Sequence, residues 1–144
     1  KGMIIMAVRE IVKHLGKRKH ASQLTVHEER ALMKRLLQVE EWQWTMKQHA
    51  LDRMEQKGVQ ASKRDVISTI YHSKIIEYKI DRAYQKCDER VVLRSKAFVN
   101  GENNLHVVYS LTNNEIISVW MNHKDDRHST LDWSIYSEDM KVFI

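Results

Sequence analysis

Two residues near the middle of the chain have the types and the spacing for phosphate chemistry. His49 and Arg53 stand four residues apart in the segment MKQHALDRMEQKGVQASKRDV, Met46 to Val66. That segment reads as helical, which puts both side chains on one face, one turn apart. Metal-independent cleavage of RNA needs a base for the 2′-hydroxyl proton and an acid for the leaving oxygen. It also needs a cation for the charge on the phosphoryl group. Imidazole, which ordinarily titrates near neutrality, suits the first two tasks. Guanidinium suits the third, because its planar fork grips two phosphate oxygens. The bland alternative is a wet helix face on which Arg53 pairs with Asp52, Glu55 or a carboxylate of a nearby strand.

Other side chains are candidates for the same work. Arg94 stands in the middle of RVVLRSKAFV, a strand pattern, with Lys96 two residues on and so on the same face. Together they can hold phosphates on a sheet face, or be a solvated pair that keeps an edge strand from aggregating. Tyr109 alternates with Val107 and Leu111, which favours a core position. Trp120, near the end of the last strand, is a packing residue or a base-stacking platform. His106, His123 and His128 are further acid or base candidates, and the sequence does not choose among them. No H-x-x-x-H helix, zinc-type Cys/His cluster, glycine-rich phosphate loop or nucleophile elbow is present, so no metal and no cofactor is expected. Asp125 and Asp126 between His123 and His128 read as a solvated turn, and Cys87 as an ordinary thiol.

The elements that would position these groups fall in two halves. In the first, Met3 to Leu15 reads as a helix and GKRKHASQ as a linker. Thr25 and Glu28 are spaced as a capping box opening a helix with Leu32, Met33, Leu36, Leu37 and Val39 as its apolar set. The helix from Met46 to Lys57 stops at Gly58. A short helix then has Ser62 as cap and Val66, Ile67 and Ile70 inward. In the second half, KIIEYKI, RVVLRSKAFV, LHVVYSL and IISVWMN read as strands, with turns at Asn100–Asn104 and Thr112–Glu115. In the last of them, Ile117, Val119 and Met121 are expected on one face and Ile116, Ser118, Trp120 and Asn122 on the other. Short turns between consecutive strands predict an antiparallel meander, and helices before a sheet predict the α+β class.

Composition bounds the function. The 144 residues carry a formal net charge of +5, no proline, four glycines and one cysteine. Residues 1–72 hold +6 and residues 73–144 hold −1. A basic N-terminal half attracts phosphate polyanions. A single cysteine excludes an internal disulfide and fits a reducing, cytoplasmic setting. No window is apolar enough to span a bilayer, and the basic start does not read as a secretory signal, so no membrane role is expected. Trp42 and Trp44, in VEEWQW, lie on different sides of any helix. One can anchor the core and the other a partner, and the helical arm can dock on another protein or on a second copy.

HALDRMEQKGV, a short helix, then VVLRSKAF and NLHVVYSLTNNEIISVWMN resemble a family of small bacterial and phage domains of unknown function. That family opens on a His-Ala-x-x-Arg-Met helix and closes on a hairpin, and it is related to RelE-type toxins and the barnase–EndoU–colicin–RelE superfold. The resemblance covers residues 46–123 and implies a RelE-like core there, flanked by a helical extension (1–45) and a tail (124–144) docking on it. It further implies an RNA-directed protein, with metal-independent ribonuclease activity as one expectation. His49 would then act as base or acid, Arg53 and Arg94 as phosphate clamps, and Lys96, Tyr109 and Trp120 as RNA contacts. Some enzymes of that kind use a sheet tyrosine. The alternative is a non-catalytic phage or toxin–antitoxin regulator that binds another protein through its helical arm.

Overall fold

Residues 15–83, 86–126, 132–137, 140 and 142 are described by the computed structural model. The helix expected from Met3 therefore falls, apart from Leu15, outside the described residues, as does His128. In chain order the described elements are strand β1 (Arg18–His20), helix α1 (Val26–Leu37), strand β2 (Thr45–Met46), and helices α2 (Gln48–Gln56) and α3 (Lys63–Tyr71). Strands β3 (Ser73–Ala83), β4 (Lys86–Val99), β5 (Asn103–Ser110) and β6 (Glu115–His123) follow.

Local chemistry sets the helix limits. Thr25 and Glu28 form a reciprocal capping box at the start of α1, and Ser62 and Asp65 form another at the start of α3. At the end of α2, Gly58 takes φ +64°. The N–H of Val59 then donates to the Met54 carbonyl, and that of Gly58 to the Glu55 carbonyl. This pair of bonds closes the helix because glycine adopts a left-handed φ without a Cβ clash.

The sheet order is β1-β3-β4-β5-β6-β2. β3 to β6 form the expected antiparallel meander, and β2 adds to β6 in parallel, giving a six-stranded mixed sheet. With the helices on one side of it, the fold is α+β. The stretch expected as a linker supplies β1, antiparallel to β3. Its polar residues carry no strand pattern. Its backbone pairs because the edge of β3 offers partners, and Gly16 N–H and Ile80 N–H extend that pairing.

Alternation splits the meander into two faces. On the helical face, Tyr78, Val91, Tyr109 and Ile116 stand in one row across the strands, and Leu93, Val107 and Val119 in another. Leu32 and Leu36 of α1, Met54 of α2, and Val66 and Ile70 of α3 complete a single cluster with them, joined by Met140 and Val142 of the tail. Each fully buried side chain of this kind contributes roughly 2 kcal/mol, against up to about 1 kcal/mol for an exposed ion pair. The helical face therefore holds the molecule together. A β-bulge between Val108 and Tyr109 shifts the register by one. It turns Ile116 into the core, where the strand alternation had placed Ile117, and leaves Ile117 half-buried.

Candidate polar cleft beside the second helix

Hairpin register brings the chemistry-bearing groups of the opposite face into line. The turn between β5 and β6 sets Ser110 opposite Glu115, and the β4–β5 pairing sets Ser110 opposite Arg90. Directly paired residues share a face, so Arg90, Ser110 and Glu115 form one row there. β2 runs beside the start of β6 and leads straight into α2. Lys47, His49 and Ala50 of that entry, with Arg90, Glu115, Ile116 and Ile117, line a cavity of about 410 Å³.

Charges in and under this cavity are arranged in pairs. Lys47 Nζ lies 3.5 Å from Glu115 Oε2. Arg90 donates through Nε to Asp88 Oδ2 at 2.7 Å and through Nη1 to Asp81 Oδ2 at 3.4 Å. Asp88 is only 1% exposed and also accepts from the Ser110 hydroxyl at 2.6 Å. A carboxylate so removed from water needs both partners, and in return it fixes the guanidinium's position. Among the described residues Arg90 Nη2 has no hydrogen-bond acceptor, and Arg90 lines the cavity.

The expected site residues fall in different places. His49 is exposed and lines the cavity. Arg53 is exposed one turn further along α2 and lies outside the lining. Arg94 shares the polar face with Arg90 but is four residues along β4, about 13 Å away at strand rise. Its guanidinium donates to the Asp126 carbonyl at 2.8 Å, the Lys124 carbonyl at 3.1 Å and Asn104 Oδ1 at 2.8 Å. Lys96 is exposed in the irregular stretch of β4 between the pairings of Arg94 and Phe98.

Tyr109 is fully buried on the helical face, with its hydroxyl 3.2 Å from Asn114 Oδ1. Burial, helped by Tyr71, pushes that hydroxyl far above the ordinary phenol range, so it stays protonated. Trp120 is half-buried on the polar face, its ring stacked on His106 at 5.4 Å and 11°. His123 accepts from the Asp125 N–H and closes the turn after β6. Of the two tryptophans in VEEWQW, Trp44 is buried and Trp42 is 81% exposed.

The cleft thus gathers His49 with Lys47, Arg90 and Glu115, and leaves Arg53, Arg94, Lys96, Tyr109 and Trp120 outside. Arg90 and Glu115 were legible only through register: a tight turn centred on Thr112–Asn113 sets Ser110 against Glu115. Nothing local marks Lys47, which becomes a cavity residue because β2 pairs with β6. Among the described residues no three His, Cys, Asp or Glu side chains gather as a metal site requires. No helix among them is long and apolar enough to cross a membrane. No family model, no curated protein and no solved structure matches the chain. What stands is an α+β fold with a six-stranded mixed sheet.

Proposed function

We propose that the protein is RNA-directed and that the cleft at His49 handles the phosphodiester, as a metal-independent ribonuclease. The observation that carries this reading is the single cavity shared by an imidazole, a carboxylate and two cations. Glu115 takes the proton of a 2′-hydroxyl, whose oxygen attacks the adjacent phosphorus. The bond from phosphorus to the 5′-oxygen breaks, and His49 in its protonated form donates to that oxygen. Arg90, held by Asp88, and Lys47 balance the charge on the phosphoryl oxygens. The products are a 2′,3′-cyclic phosphate and a free 5′-hydroxyl. The basic N-terminal half supports recruitment of the polyanion.

The test is incubation with total RNA in the presence of a chelator, followed by analysis of the new ends, for the wild type and His49→Ala. Cyclic phosphate ends that disappear in the variant are expected. Wild-type protein that leaves RNA intact between about pH 6 and pH 8 removes the catalytic reading. A steep salt dependence of binding without product then leaves an RNA-binding protein.

A second reading has its own observation. The indole of Trp42 is 81% exposed on the segment between α1 and β2, and exposed tryptophans are frequent partner anchors. A regulator that grips another protein there loses that partner in Trp42→Ala while RNA affinity is unchanged.

A further inference from the structure

α2 separates the polar cleft from a second cavity of different character. This one lies between α2, α3 and the segment through β2, and its volume is about 500 Å³. Trp44, Met46, Leu51, Met54, Val66 and Ile67 form most of its wall. A volume of this size, mostly apolar and with few polar groups, suits a small organic ligand.

Three details narrow the ligand's chemistry. First, two thioethers and an indole ring face one space, and sulfur against a ring edge favours an aromatic guest. Second, Trp44 is 8% exposed and its Nε1–H is buried with no acceptor. Third, the Lys63 ammonium, at the first residue of α3, stands 5.8 Å from the Trp44 ring centroid. Glu41 also borders the cavity and is exposed. The charge over the aromatic wall is the cation.

We propose that this cavity binds a small aryl carboxylate, its ring between Trp44 and the two methionines and its acid group at Lys63. The inference is independent of the RNA reading, because no residue of this cavity lines the polar cleft.

The experiment titrates the ¹⁵N-labelled full chain with 2-naphthoate and, separately, with its neutral analogue 2-naphthamide. The Trp44 indole resonance, assigned by its loss in Trp44→Phe, is followed. The expected result is a saturable shift of that resonance by naphthoate, with the amide binding more weakly. Lys63→Gln should weaken naphthoate about fivefold, the scale of one partly exposed charged contact, and leave the amide within about twofold. Leu51→Glu, at a 45% exposed wall position where the fold tolerates a polar side chain, should abolish binding of both. The proposal is overturned if neither compound shifts the Trp44 resonance. It is equally overturned if acid and amide bind the wild type alike, or if only other indoles respond.

Discussion

Arg90 and Arg94 leave the same strand on the same side of the sheet, and they differ in what holds them. At the α2 end, Arg90 is held by the carboxylates of Asp88 and Asp81 and lines a cavity. At the other end, Arg94 spends its guanidinium on two backbone carbonyls and one amide oxygen. Those acceptors belong to the turn after β6 and to β5, so Arg94 fastens that turn to the sheet. A cation held by acids beside a cavity can still take an anion. A cation consumed by carbonyls is a structural tie. Residue type and strand position do not separate the two; the groups around each guanidinium do.

The sharpest way to break this comparison is to remove the planar fork while keeping the charge. Arg90→Lys should lower RNA cleavage, or RNA affinity if binding is all there is, by about ten- to a hundredfold. Arg94→Lys should leave both nearly unchanged. Rates on a short RNA, with melting curves to confirm folding, make the measurement. Equal losses in the two variants would dissolve the distinction between the ends.

Next in size is the support beneath Arg90. Asp88→Asn removes the charge that a nearly fully buried carboxylate offers to Arg90 while keeping a single oxygen for Ser110. The expected loss is about 3 kcal/mol, because the half-buried Arg90 guanidinium loses its nearest counter-charge. Ser110→Ala should lose only about 1 kcal/mol, the worth of one hydrogen bond. Urea unfolding separates the two. A neutral Asp88→Asn would mean that Asp81 alone holds the guanidinium.

The opposite end should respond more weakly and locally. Arg94→Ala deletes three charge-assisted hydrogen bonds, two of them at the exposed turn. A loss of about 1–2 kcal/mol is expected. Hydrogen exchange should quicken in residues 124–126 and nowhere near α2. Protection lost around His49 instead would join the two ends into one cooperative unit.

The helices and the meander were legible because their signals are local. Thr25 with Glu28, Ser62 with Asp65 and Gly58 each act within one turn, and the alternation of LHVVYSL needs no distant partner. β1 and β2 were not legible, because three and two residues pair only when a long edge already exists beside them. Ile116 and Ile117 exchanged faces for a related reason: a one-residue bulge is invisible to an alternation rule. The site divides in the same way. His49 was singled out by type and helical spacing, and the structure puts it on the wall of the cleft. Glu115 and Arg90 required the strand register, and Arg94 looked equally suitable until its carbonyl partners were in view.

The helical face has its own counterpart to Asp88, and it carries the smallest effect. Glu28 accepts from Lys19 Nζ, from the Thr25 N–H and from the Val142 N–H, tying α1 to β1 and to the tail. Burial pushes its carboxyl up, but the two backbone N–H groups and Lys19 outweigh burial and hold it below the ordinary 4.5. A group depressed in the folded state stabilises it fully above its unfolded pKa and loses that contribution as pH falls through the folded value. Glu28→Gln should therefore cost about 1 kcal/mol at neutral pH, and the gap in melting temperature should close between about pH 5 and pH 3. If the Glu28→Gln gap persisted unchanged at low pH, the shape of the side chain rather than its charge would be holding the tail.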